Sequence, residues 1–421
     1  MRSPVTSTTS ATRAALATSR LRHCVGLGVA RTVTREKTWI GRCLAAIFCM
    51  LLSGTLHGAD PDGESKALVF TPAPTVRNPE SQQLLDITRA GERILAVGAA
   101  GLIVVSDDEG DSWRQVPGVP VSTTLTAVTF PTPTRGWAVG HGGVILATED
   151  AGETWHQQFD GYRGAEAFLD FARMQRSRLQ SQLDAMEADS DLSENSAELE
   201  ELAIALDDAL FIEEEALLAV ENGPADPFLD VAFFDAMSGL AVGAYGMSFL
   251  TTDGGANWAV NQQGIDNIER FHLYGLHIED SLVTITGEAG LLFQSRDRGY
   301  RFRRFYDVYE GSLFGAVPIA AGLVSYGLRG NVFLQSRPGG EWRELHTRSE
   351  SSLYGAVALS DGGALLLGAG GMLVRLSDDG EARLFQHPGR STFSSGLEGH
   401  EGEIWLVGMG GVARFSRAVA Q

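Results

Sequence analysis

Gly136-Trp-Ala-Val-Gly140-His141-Gly-Gly143-Val-Ile-Leu-Ala-Thr148-Glu-Asp150-Ala-Gly152-Glu-Thr-Trp155 holds two short patterns that recur along this 421-residue chain. The first is a Gly-x-x-Gly turn, here Gly140–Gly143, set between two apolar runs. It returns at Gly98–Gly101, Gly243–Gly246, Gly287–Gly290, Gly327–Gly330, Gly368–Gly371 and Gly408–Gly411. Successive starts lie 42, 103, 44, 40, 41 and 40 residues apart. Apart from the one long gap, this is the period of about forty residues expected of a four-stranded propeller blade. Each repeat reads the same way: an apolar first strand such as Leu125–Phe130, a second strand, the glycine turn, a third strand and a short outer strand. The 50 glycines suit an all-β chain with many tight turns.

The second pattern, S/T-x-D-x-G-x-x-W, is an Asp-box. It occurs at Ser106–Trp113, Thr148–Trp155 and Thr251–Trp258, and with Phe302 as the aromatic in the copy that begins at Ser295. Its chemistry is structural. The carboxylates of Asp108, Asp150, Asp253 and Asp297 accept backbone N–H bonds within the turn, glycine permits a positive φ, and Trp113, Trp155 and Trp258 pack between sheets. Later copies decay: 336–342 is shortened and lacks the Asp, and 377–384 lacks the aromatic.

The predicted architecture is all-β, a seven-bladed propeller over residues 60–421. The final repeat ends without an outer strand, so Ala67–Thr71 is expected to complete the last blade and lock the ring.

Within the long gap, residues 161–224 change period from two to 3.6. Phe168, Ala172, Gln175, Leu179, Leu183 and Met186 trace one helical stripe, and Leu199, Leu202, Leu206, Leu210, Leu217 and Val220 another. The expected element is an antiparallel helical hairpin with a strongly acidic second arm, ended by Gly223-Pro224. It reads either as a clamp on the ring or as a docking arm. The Glu213-Glu214-Glu215 run reads as a solvated face, since it lacks the ligand spacing of a calcium loop.

Strand order places the hairpin. It follows an outer strand, so it leaves the ring on the face where the Gly-x-x-Gly turns emerge, and the Asp-boxes lie on the opposite face. That turn face also carries His141, Tyr245, Glu288 and Arg329, which are the candidate contact residues. Tyr and Arg are favoured interface anchors.

Residues 1–59 do not share the blade pattern. Arg35, Lys37 and Arg42 precede the apolar stretch Cys43–Leu56, and small residues follow at Gly58 and Ala59, as in a secretory leader. The apolar stretch is short for a membrane span. Residues 1–35 read as a start codon placed too early, which implies periplasmic location, or as half of a bipartite plastid import sequence, which implies the thylakoid lumen. All three cysteines lie in this leader, so the processed chain offers no disulfide or thiolate chemistry. It carries 25 basic and 52 acidic residues, a net charge of −27. Nucleic acid and anionic lipid are therefore poor direct partners.

The Asp-boxes, Gly136-Trp-Ala-Val-Gly140 and Gly239-Leu-Ala-Val-Gly243 resemble the photosystem II stability/assembly factor family of BNR-type propellers over roughly residues 75–416. The helical insertion, followed by Pro227-Phe-Leu-Asp-Val231 and Gly243-Ala-Tyr-Gly246, looks like its non-photosynthetic bacterial branch. The resemblance implies an exported, non-catalytic, cofactor-free and monomeric propeller that serves a membrane protein complex or exporter. Photosynthetic members hold an assembling membrane subunit through an arginine-rich patch, and Arg329 stands in a turn compatible with one. BNR repeats also occur in sialidases and other glycoside hydrolases, so the alternative reading is a sialidase-like glycoside hydrolase or a glycan-binding propeller. Those enzymes need clustered arginines or two carboxylates about 5–10 Å apart. Glu288 alone is offered by the turns, Asp230 and Asp266 have no assigned place, and His141 has no companion at metal-ligand spacing.

Overall fold

The computed structural model describes residues 68–188, 196–223, 226–262 and 264–416. The leader and the start of the Ala67–Thr71 segment lie outside the described residues, as does Pro224. Seven antiparallel sheets follow one another along the chain. Blade 1 comprises β1–β4 (84–90, 93–98, 103–106, 114–115) and blade 2 β5–β8 (125–129, 136–140, 145–148, 156–159). Blade 3 comprises β9–β12 (228–233, 239–243, 248–251, 259–260) and blade 4 β13–β16 (273–279, 282–287, 292–295, 303–304). Blade 5 is β17–β20 (313–319, 322–327, 332–335, 343–345) and blade 6 β21–β24 (353–358, 364–368, 372–376, 382–386). Blade 7 has three strands among the described residues, β25–β27 (393–398, 403–408, 411–416). Between blades 2 and 3 stand α1 (Gly161–Ala188) and α2 (Ser196–Asn222), the expected hairpin.

The glycine turn has one construction in all seven blades. The N–H of the residue after the first glycine donates to the carbonyl just ahead of the same blade's innermost strand, as in Ala99 to Gln83, His141 to Thr124, Glu288 to His272 and Leu328 to Ser312. That bond draws the second strand so close that a β-carbon on Gly140 would stand 2.1 Å from the Thr124 oxygen. The period of forty therefore marks a steric requirement, a backbone contact that only glycine permits.

Every inner strand also carries a β-bulge at its second residue, with the register shifting between Leu84 and Asp86, Leu125 and Ala127, Leu273 and Gly275, and at the equivalent sites elsewhere. At a bulge the ladder loses a backbone partner. In blades 1 and 3 the next side chain satisfies the neighbouring blade. Asp86 accepts the N–H of Val128 (2.8 Å) and the hydroxyl of Ser395 (2.7 Å), and Asp230 accepts the N–H of Leu276 (2.7 Å). Two carboxylates thus tie inner strands of five blades, Asp86 joining blades 7, 1 and 2 and Asp230 joining blades 3 and 4.

The Asp-boxes form as expected. Asp150 accepts the N–H and hydroxyl of Thr154 and the hydroxyl of Thr148, while Thr148 Oγ1 accepts the N–H of Gly152. The Ser/Thr is thus a second organiser of the turn. Trp155 meets Phe130 edge-on, and Trp258 meets Phe233 in the same way.

Closure differs from the expectation. Residues 68–76 run beside the outer part of blade 1, with Ser122 donating to Leu68 O and Ala73 donating to Val119 O, and the last blade gains no strand from them. Pro72 and Pro74 explain this, because they remove the N–H donors that an outer strand would supply. The ring closes through its inner strands and Trp405, which is 4% exposed and meets Trp113 of blade 1 edge-on at 6.2 Å.

Burial pushes Asp230 up to about 7, and the charge of Asp86 adds to this against the opposing N–H of Leu276. Burial likewise raises Asp86. In the unfolded chain an Asp titrates near 3.9. Between pH 4 and 7 the folded chain therefore holds a proton that the unfolded chain releases, so stability falls as pH rises through that window, by at most on the order of 4 kcal/mol. His277 acts oppositely: burial lowers it to about 4, so its share of stability is lost as pH falls from about 6.5 to 4. Asp230→Asn should flatten most of the decline between pH 5 and 8 in urea unfolding. An undiminished decline would contradict the assignment.

Candidate functional site

In a four-stranded antiparallel blade, the second-to-third turns and the links to the next blade emerge on one face. That turn face is unevenly covered. Over blades 1 and 2 lies the N-terminal segment, with Val69 against Gly142 and Phe70 stacked on Tyr162 at 6.0 Å. Over blades 2 and 3 stands the hairpin. Asp160 begins α1 by accepting the N–H groups of Tyr162 and Arg163, an N-cap. Gly143 admits the start of the helix, since a β-carbon there would lie 2.7 Å from Gly161 Cα. The two arms are joined by a seam of Leu169, Ala172 and Ala216 and by Arg176 on Glu213 (2.8 Å).

At the foot of the hairpin is a cavity of about 110 Å³ lined by Phe168, Ala216, Phe228, Met247, Phe249 and Tyr245. Arg270 bridges it to the ring, paired with Glu215 at 2.5 Å, its guanidinium 5.7 Å from the Phe168 ring centre. Burial raises Asp226 beside it, against the pull of Arg270 and His272.

Among the described residues, the open sector runs from the Tyr245 turn of blade 3 to blade 7. There Tyr245 N–H donates to His272 Nδ1 (2.9 Å), and His272 N–H donates to Glu288 Oε2 (3.2 Å). His272 thus joins two predicted residues from adjacent turns. From it an arc of rings follows the inner strands: Tyr245 to His272 at 4.9 Å, His272 to Tyr274 at 6.0 Å, Tyr274 to Phe314 at 5.3 Å and Phe314 to Tyr354 at 5.4 Å. The last three rings occupy the bulge position of blades 4, 5 and 6. A signal for them exists in the sequence, Leu-Tyr-Gly at 273–275, Leu-Phe-Gly at 313–315 and Leu-Tyr-Gly at 353–355.

Beyond the arc, Arg329, Arg348 and Arg390 stand on blades 5 to 7, all exposed. Among the described residues their guanidinium groups carry no hydrogen bond or ion pair, although Arg329 draws down the pKa of Tyr309, which burial raises overall. Most other arginines of the ring are paired, as Arg375 is with Asp361. Each of the three has a left-handed backbone, φ 58°, 61° and 49°, and Tyr245 has φ 51°. Glycine fills the position of Tyr245 and Arg329 in two other turns, at Gly142 and Gly370. A non-glycine residue costs about 1 kcal/mol or more there, so Tyr245 and Arg329 are present against local preference.

Of the predicted residues, Tyr245 and Glu288 are brought together, and Arg329 faces the same open sector two blades from Tyr245. His141 is set apart, half-buried in the turn that supports α1, where burial lowers its pKa. Asp230 is an inter-blade tie. Asp266 lies near Arg304 at 3.8 Å and accepts the hydroxyl of Tyr306. Among the described residues one cluster has metal-ligand proximity, Glu92, Glu109 and His400 on the opposite face, where Glu109 already pairs with Arg89 at 2.8 Å.

Residues 215–308 match the sequence model of the family described as photosynthesis system II assembly factor YCF48. A 78-residue stretch is 36% identical to the photosystem II assembly lipoprotein Ycf48 of Synechococcus sp. (strain CC9902), covering 18% of this chain and 23% of that protein. The match thus spans about a quarter of the relative's length. A solved structure of YCF48 bound to a D1 peptide superposes with a TM-score of 0.53 over 82% of this chain and 99% of that one, at 15% identity. The GH74 enzyme of Niastella koreensis superposes with a TM-score of 0.52 over 82% of this chain and 53% of its own, at 10% identity, so the shared shape establishes the fold alone. With the Asp-boxes and the seven blades taken together, the chain is a seven-bladed β-propeller with Asp-box repeats, and its residues 215–308 are similar to the photosystem II assembly factor YCF48 family.

Proposed function

We propose that this protein is an exported, non-catalytic assembly factor or adaptor that holds a segment of a membrane protein complex on the open sector of its turn face. The observation that carries the reading is the pairing of the aromatic arc with three unpartnered arginines, Arg329, Arg348 and Arg390, on one face. Rings supply apolar contact at small entropic cost, and free guanidinium groups grip carboxylates. The ligand that fits is an extended segment with aromatic or aliphatic side chains and an acidic group, and Tyr245, Glu288 and His272 would border its course. The similar YCF48 structure carries a D1 peptide, which suits a membrane protein as the partner. No helix among the described residues is long and apolar enough to cross a membrane. The proposed location is the periplasm, at the membrane surface.

Arg329→Gly is an informative variant because it removes the guanidinium while relieving the left-handed strain. In pull-downs from solubilised native membranes, capture of a membrane protein by the processed chain should fall about tenfold or more, with the urea midpoint unchanged or higher. Undiminished capture would remove the open sector from the account.

A further inference from the structure

The second arm of the hairpin repeats every seven residues. Glu200-Glu201, Asp207-Asp208 and Glu214-Glu215 recur in register, with Glu221 beginning a fourth unit, and Ile204, Phe211 and Leu218 recur between them. Helix α2 has two apolar faces. One holds Leu206, Ala209 and Ala216, which are buried, the last in the seam against α1. On the other side stand Ile204, Phe211 and Leu218, which are 58%, 61% and 54% exposed, bordered by Leu210 and Leu217 at 41% and 44%. On a helix, residues seven apart lie on nearly one line, and because the positions three and four residues after Ile204 and Phe211 are acids, this line carries one apolar residue per heptad between acidic borders. A helix that serves only its own hairpin needs one apolar face, and this one has two.

Charge identifies what covers the second seam. The acid pairs flank the exposed line on both sides, Glu215 being already paired with Arg270, and α2 contains nine acidic residues and no Lys, Arg or His. A second copy would set these acids against each other, and an anionic lipid surface would be repelled likewise. A helix bearing apolar residues every seven positions with Lys or Arg beside them would bury the line and neutralise its borders. We infer that the outer face of α2 docks a basic amphipathic α-helix of a partner protein. This surface is separate from the aromatic arc and the three arginines, and its occupancy does not depend on theirs.

The test titrates fluorescent peptides of about four heptads into the processed full chain. One peptide has Leu on its seam and Lys at the flanks, a second has the same composition with the seam scrambled, and a third has Glu for Lys. The Lys–Leu heptad peptide should bind at least about tenfold more tightly than either control. That preference should vanish in the triple variant Ile204→Ser, Phe211→Ser, Leu218→Ser, whose changes are all at exposed positions, and persist in Arg329→Gly. Equal binding of the scrambled peptide would reduce the surface to unspecific charge and overturn the proposal. So would unchanged binding by the triple variant. Concentration-dependent dimerisation of the native chain that the triple variant abolishes would make a second copy the occupant, and this too would overturn it.

Discussion

Trp137→Ala should destabilise the ring by about 4 kcal/mol, read as a lowered urea midpoint. Trp137 is 1% exposed and stacks on Phe233 of blade 3 with ring centres 3.7 Å apart. Its indole N–H donates to Gln158 Oε1 (2.9 Å), and the amide of that side chain donates onward to Gly254 O (3.2 Å). The residue therefore joins the two blades that the chain itself connects only through the helical hairpin. Alanine would leave a cavity and an unsatisfied amide oxygen together, so transfer, cavity and hydrogen-bond losses add. A loss below about 1 kcal/mol would mean that the hairpin holds these blades together.

Gly327→Ala should cost about 3 kcal/mol and weaken partner capture as well. A β-carbon there would stand 2.1 Å from the Ser312 carbonyl oxygen, a backbone atom that has no alternative rotamer. The φ of −171° is extended, so the penalty is steric and the backbone conformation itself is unstrained. Relief requires opening the bond from Leu328 N–H to Ser312 O (2.9 Å), which also anchors the turn that presents Arg329. Tolerance of this substitution would show that the turn is not the rigid support described above. By contrast, Gly370→Ala would meet no neighbour within 4 Å and carries only the left-handed penalty.

The legibility of the ring in the sequence has a physical origin. Each Gly-x-x-Gly turn is bound by a backbone contact that no other residue permits, so the signal survives where the Asp-boxes decay. The hairpin was legible because its period changes from two to 3.6. The placement of the N-terminal segment is not legible, because Leu68-Val69-Phe70 has strand character whichever edge it approaches. The nearby Pro72 and Pro74 were the available signal that it could not extend a ladder. Tyr245, Glu288 and Arg329 were reachable from strand order alone. His272, Arg348 and Arg390 were missed because they lie in the links between blades, whose length and sequence vary. Tyr274, Phe314 and Tyr354 were missed for another reason. In a strand with apolar residues on both sides, a ring that lines a surface resembles a ring that fills the core.

The central claim is tested most directly by photocrosslinking in native membranes, with benzoylphenylalanine placed singly at Tyr245, Arg329 or Arg337. The first two positions lie on the turn face and the third on the Asp-box face, between β19 and β20. The account predicts one shared membrane-protein adduct from positions 245 and 329 and none from 337. An adduct from 337 alone, or the same adduct from all three, would contradict it.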